Sequence, residues 1–138
     1  MKINMSKSNS CILEDFKEII ELFKEDASGA APFCYIDPGM PDRFFLSGET
    51  RDGETNELML RLNYKRRKLI IARISFVNQR KGNGSRLLEL LYRFAKTHDY
   101  QTLHVESVMT KPMECFVKKH GFKIESDDRY ELNWIKIL

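Results

Sequence analysis

Only three cysteines occur in the 138 residues, Cys11, Cys34 and Cys115. Their odd number and wide spacing match neither a zinc-ligand pattern nor a disulfide framework, so no metal is expected. Reduced, mostly buried thiols in a cytoplasmic protein are the expectation. Long apolar runs are missing as well. The tightest, Leu69 to Ala72, is four residues, far short of a membrane span. The first ten residues, MKINMSKSNS, lack the apolar stretch of a secretory signal, which argues against export. Nor is there a strong excess of one charge. Lys and Arg number 23 against 20 Asp and Glu, a formal net charge of +3, which does not favour nucleic acid and suits a small anionic ligand equally well.

With 31% charged and 42% apolar residues the composition is that of a soluble globular chain. Its length suits one domain spanning 1–138. Ile12, Leu13, Phe16, Ile19, Ile20 and Phe23 place one apolar face on a helix from Cys11 to Asp26, with Asn9 and Ser10 as caps and Gly29 beyond its end. Ala27 to Asp42, broken by Pro32, Pro38, Gly39 and Pro41, reads as a long loop. Strands are expected at Arg43 to Glu49, Glu57 to Tyr64 and Leu69 to Phe76, as an antiparallel meander. The basic run Lys65 to Lys68 reads as a hairpin turn in preference to a polyanion site. Leu87, Leu88, Leu91, Phe94 and Ala95 then give a helix beginning near Ser85. Thr102 to Ser107 alternates as a strand, and a crossover helix between two strands makes them parallel neighbours. A short helix from Pro112 to Lys119, terminated at Gly121, and a last strand from Arg129 to about Leu138 complete the pattern.

The stretch QRKGNGSRLLELL, Gln79 to Leu91, carries the chemistry. A helix N-terminus presents unpaired N–H groups and partial positive charge, and glycines just before it let a bulky anion approach the backbone. Gly82, Gly84 and Ser85 meet both conditions and read as a pyrophosphate cradle. A P-loop would need Lys after Gly84, and a dinucleotide fingerprint a third small residue where Leu87 stands, so neither a nucleoside triphosphate nor NAD is favoured. By itself the loop reads equally well as a structural turn.

The order strand, Gln-x-x-Gly-x-Gly, amphipathic helix, strand, short helix and CFVKKHGF (Cys115 to Phe122) resembles the GNAT superfamily of acetyl-CoA-dependent N-acetyltransferases. The resemblance covers roughly Leu69 to Leu138. It implies an α/β (α+β) fold with a central mixed, mostly antiparallel twisted sheet flanked by helices and a splayed pair of parallel strands. It also implies acetyl-CoA as acyl-donor substrate. Gln79, Gly82 and Gly84 match the family's loop, which implies that the backbone around Arg80, Lys81, Gly82, Asn83, Gly84 and Ser85 holds the pyrophosphate. Ile74, Ser75 and Phe76 would bind the pantetheine arm, and Phe116 and Lys119 would complete the cofactor residues. On this reading, valine at Gly84 weakens acetyl-CoA binding while leaving the fold intact.

Two departures from the family bear on mechanism. Val117 stands where many members have a tyrosine that protonates the leaving thiolate, and Thr110 replaces the usual asparagine. A Val117→Tyr change is expected to raise turnover if an acid is lacking. The strand before the loop carries no carboxylate, which leaves Glu106 and His104, on one face of the following strand, as candidate bases, with Glu49 and Glu57 behind them. His98 and His120 read as capping or surface groups. Cys115 has no neighbour in sequence that would activate it.

Three functions follow. The preferred one is transfer of an acetyl group to a primary amine of unknown identity, by direct transfer. The acceptor would lie against the N-terminal helix and the Ala27 to Asp42 loop, where Asp37 and Asp42 could attract a cation. The alternatives are a non-catalytic CoA or acyl-CoA-binding module and a polyanion-binding adaptor. Partners are thus an acyl donor and an amine, with no membrane partner and with nucleic acid disfavoured. Similar proteins are often dimers, so a homodimer through the terminal strand with Trp134 is the expectation by analogy.

Overall fold

The computed structural model describes residues 12–26, 32–37, 40–49, 53–75, 82–125 and 133–138. The roles expected of Asn9, Ser10, Cys11, Gly29, Phe76, Gln79, Arg80 and Lys81 fall outside these residues. The first described element is a 3-10 turn, Leu13–Phe16, in which the Ile12 N–H donates to Asp15 Oδ2 at 2.9 Å. Helix α1, Lys17–Asp26, continues from it; Phe16, Ile19 and Phe23 of the expected face are buried, Leu22 is buried beside them, and Ile12 and Leu13 are instead exposed.

Strands β1 (Phe33–Asp37), β2 (Met40–Glu49), β3 (Thr55–Asn63) and β4 (Lys68–Ser75) follow in an antiparallel meander. The first of these corrects the expected loop: Cys34 pairs with Leu46 and Tyr35 with Phe45. Pro38 lies just past the end of β1, and β1 is the edge of the sheet, where proline nearby breaks no inner ladder. The Lys65 to Lys68 run is a hairpin connection as expected. Tyr64–Arg66 forms a 3-10 turn, Asn63 Oδ1 accepts from the Arg66 N–H, and Arg67 adopts φ 56° to reverse the chain.

Helix α2, Asn83–Thr97, crosses from β4 to β5, Thr102–Val105, and the two strands are parallel. Helix α3, Lys111–Lys119, is capped by Thr110, whose hydroxyl accepts from the Met113 N–H, and Gly121 follows it at φ 85°. Of the expected last strand, Arg129 to Leu132 lie outside the described residues; β7 runs Trp134–Ile137 and pairs with both β5 and a two-residue strand β6, Lys123–Ile124. The sheet order is β1-β2-β3-β4-β5-β7-β6.

One face of this sheet makes the core. Leu58, Leu60 and Leu62 on β3 are buried beneath the helices, while Glu57, Met59 and Arg61 alternate onto the opposite, open face. Phe44 stacks on Phe16 at 4.1 Å between ring centroids, and Phe16 on Phe94 at 4.8 Å, which joins β2, the N-terminal turn and α2. Each such buried side chain contributes about 1.5–3 kcal/mol. Trp134 belongs to the same core and is buried, which removes it as a dimer-interface residue; on β7 it is Ile137 that is exposed.

Candidate functional site

The parallel ladder between β4 and β5 closes only part of the way. It pairs Lys68 with Thr102 through Ile71 with Val105, and a last hydrogen bond runs from the Glu106 N–H to the Ile71 carbonyl at 3.1 Å. Beyond that rung β4 continues to Ser75 and, among the described residues, has no strand partner on its β5 side. A bulge helps part the strands: Leu60 opposes Ile71 and Met59 opposes Arg73, so Ala72 is the extra residue. On the other lip Ser107 turns away at φ 59°, its N–H donated to Asn133 Oδ1 at 3.2 Å. The two strands therefore splay, and a cavity of about 270 Å³ opens between them, with Arg73, Ile74, Glu106, Ser107 and Met113 in its wall.

A second cavity of about 300 Å³ adjoins it and shares Ile74 and Met113. Ser75, Gly84, Thr110 and Phe116 complete its wall, so it leads from the splayed strands to the first turn of α2. That helix end is suited to an anion. Its N-cap, Gly82, has φ 73° and makes no side-chain cap, and the first turn carries no acid. A Cβ at Gly82 would meet nothing within 4 Å, so the glycine serves the left-handed backbone itself. Gly84 differs: its Cβ would lie 3.1 Å from Phe116 Cζ. A side chain here therefore needs the Phe116 ring to give by a few tenths of an ångström, so Gly84→Val bears on packing as well as on ligand binding.

The two candidate bases are set apart. Glu106 lies in the wall of the splayed cavity and is held by the Arg61 guanidinium in a part-buried ion pair. His104 sits two residues back, opposite Ile70 in the closed part of the ladder, buried, with Nε2 at 2.9 Å from Thr102 Oγ1. Burial first, and then Lys68, hold the His104 pKa below the ordinary histidine value, against the pull of Glu125 and Glu106. Glu57 lies on the open face, 3.6 Å from Arg73. Glu49 ends β2 and Asp37 ends β1, both strands away from the splayed pair. Asp42 lines a different cavity with Tyr64 and Arg67.

One residue expected as a cap also makes a contact that the sequence did not suggest. His120 caps α3, and its Nε2 lies 3.1 Å from Ser85 Oγ, so it links the end of α3 to the first turn of α2. Lys136 Nζ donates to the His120 carbonyl at 2.9 Å. Burial, followed by Lys119 and Lys136, lowers the His120 pKa. Lys119 is exposed at the last position of α3, and Cys115 is exposed on the same helix. Val117, where a tyrosine was considered, is fully buried in the core, so a larger side chain has no free space there. Among the described residues no group of three or more His, Cys, Asp or Glu is arranged to hold a metal, and no helix is long and apolar enough to cross a membrane.

No protein-family model matches the chain, and no curated protein matches it by sequence. Solved structures match it in fold. The PaiA N-acetyltransferase from Thermoplasma acidophilum, in complex with coenzyme A, aligns with TM-score 0.56 and 17% identity over 94% of this chain and 96% of that one. Nourseothricin acetyltransferase aligns with TM-score 0.54 and 17% identity over 75% and 69%. Tetrahymena GCN5 aligns with TM-score 0.50 and 12% identity over 91% and 87%. The mixed sheet, its flanking helices and its one parallel, splayed strand pair give this chain the fold of the GNAT acetyltransferases.

Proposed function

We propose that residues 1–138 form one acetyltransferase domain that moves an acetyl group from acetyl-CoA directly to a primary amine. The observation that carries this reading is the continuity of the site: a helix end whose N-cap is the left-handed Gly82 adjoins a cavity that leads into the opening between β4 and β5. The fit to an acyl-CoA is chemical. Phosphate suits the uncapped N-terminus of α2, around Gly82, Asn83, Gly84 and Ser85. The unpaired edge of β4 at Ile74 and Ser75 suits the amides of a pantetheine arm, with Phe116 as an apolar wall. Phe76, Gln79, Arg80, Lys81 and the exposed Lys119 are assigned to the same ligand by the loop and helix motifs.

In the reaction a neutral amine forms a C–N bond to the acetyl carbonyl carbon. The C–S bond breaks, its electron pair leaves on sulfur, and the thiolate takes a proton from water. The nitrogen gives up its proton to a base. Glu106 is the carboxylate at the opening and is assigned that role, with His104 as the more remote candidate. Such general-base help is worth about 100- to 10,000-fold. Positioning and backbone donors polarising the carbonyl supply the rest.

A second reading, a CoA-binding module without turnover, is favoured by one observation: Val117 offers no acid where many similar proteins carry tyrosine. Thermal unfolding with excess acetyl-CoA, with ATP and NAD as controls, separates these readings from a structural turn. Selective stabilisation of about 2.7 kcal/mol is expected at 100 times the dissociation constant. Absence of a shift at millimolar ligand removes both. Release of free thiol in the presence of a panel of amines then distinguishes transfer from binding alone.

A further inference from the structure

The opening between β4 and β5 runs through the sheet. Ile71, Ile74 and Val105 line it on the helix side, and Arg73 and Glu106 stand at its mouth on the open face. Two ion pairs of unequal quality surround that mouth. Glu106 is engaged by Arg61 in a part-buried contact. Arg73 reaches Glu57 only at 3.6 Å, and its side chain is 58% exposed. A pair so long and so wet is worth little. The Arg73 guanidinium can therefore exchange Glu57 for an incoming anion at small cost, whereas Arg61 is committed to Glu106.

We infer that the acceptor is an amino acid, a primary amine that carries its own carboxylate. This rests on the N-acetyltransferase reading above and names the substrate class of that same site. The ammonium of the acceptor meets the carboxylate side of the mouth, at Glu106, and its carboxylate is taken by Arg73. The planar fork of an arginine matches a carboxylate with two parallel hydrogen bonds, which a lysine at that position would not. A purely cationic amine meets two guanidinium groups at the same mouth, Arg61 and Arg73, with nothing of its own to offer them. The charge balance of two arginines and two glutamates thus fits a zwitterion better than a cation.

The test compares matched pairs of acceptors with acetyl-CoA as donor: L-phenylalanine against phenethylamine, and L-lysine against cadaverine. Each amino acid is expected to exceed its decarboxylated partner in kcat/KM by tenfold or more. In Arg73→Gln the ratio should collapse towards one, through a raised KM for the amino acid and not through kcat, and Arg73→Lys should keep part of it. An amine that equals or outperforms its amino acid overturns the inference, as does an Arg73→Gln variant that slows both acceptors alike. If no acceptor is acetylated, the transferase reading fails, and a binding measurement decides the carboxylate site on its own. N-acetyl-L-phenylalanine should then raise the Tm of the CoA-loaded protein where N-phenethylacetamide does not, and Arg73→Gln should abolish the rise. Equal or absent shifts for the two amides count against a carboxylate site.

Discussion

Gly84 and Phe116 meet so closely that a methyl group on the glycine would lie 3.1 Å from Cζ and 3.2 Å from Cε1 of the ring. The first turn of α2 and the middle of α3 therefore pack through the absence of a side chain. Gly84→Val forces the ring aside and should cost about 1–3 kcal/mol of stability, the usual penalty of overpacking. Phe116→Ala, by making room, should absorb much of that penalty, so the double variant is more stable than the sum of the singles implies. Urea unfolding of the four proteins measures the coupling. Strict additivity would mean that the ring is not what the glycine accommodates.

A tyrosine at Val117 illustrates how burial changes a prediction made from motif alone. The side chain is fully enclosed in the core with Phe122 and Trp134. A phenol there must displace packed neighbours and leave its hydroxyl seeking a partner, so Val117→Tyr is expected to destabilise by about 1–3 kcal/mol and not to raise turnover. Thermal unfolding and an acetyl-transfer assay on the same preparation check both halves. A stable variant with faster turnover would place the residue at the thioester after all.

The parts of the fold written in local periodicity were legible. The leucine stripe of α2, the apolar strand before it and the alternating strand after it implied a parallel pair, and the register of Ile71 with Val105 is that pair. The β1 strand was not legible because prolines flank it and because, as an edge, it needs ladder partners on one side only. Contacts between distant residues left no trace in either segment. Nothing near Arg61 in sequence points to Glu106, and nothing near Ser85 points to His120, although each pair sits at the candidate site. Gly82 and Gly84 look alike in the motif, yet one answers to its own φ and the other to Phe116.

The Arg61 and Glu106 pair carries a prediction of its own. Each partner is about two-thirds buried, so removing one leaves the other with a poorly compensated charge. Arg61→Met and Glu106→Gln should each destabilise, and the double variant should recover part of the loss, with a coupling of roughly 0.5–3 kcal/mol. Activity separates the residues further. Glu106→Gln should lower acetyl transfer by about 100-fold or more if the carboxylate is the base. A Glu106→Gln enzyme that keeps its rate and its pH profile would move the base to His104 or to water.

His104 makes the stability of the fold depend on pH. Its folded pKa is lowered chiefly by burial, with Lys68 adding to the effect and Glu125 and Glu106 opposing it, whereas in the unfolded chain it titrates near the usual value of about 6.5. Between those two values the unfolded state binds more protons than the folded one, so stability rises with pH. The contribution is complete above about pH 6.5 and is lost as the pH falls from there through the folded pKa. Urea midpoints measured downwards from neutrality should fall, and the fall should be shallower in His104→Gln. A residual slope of the same sign is expected from His120, whose pKa is lowered in the same direction by burial, Lys119 and Lys136. Identical slopes in the two proteins would mean that His104 gains a proton as readily in the fold as outside it.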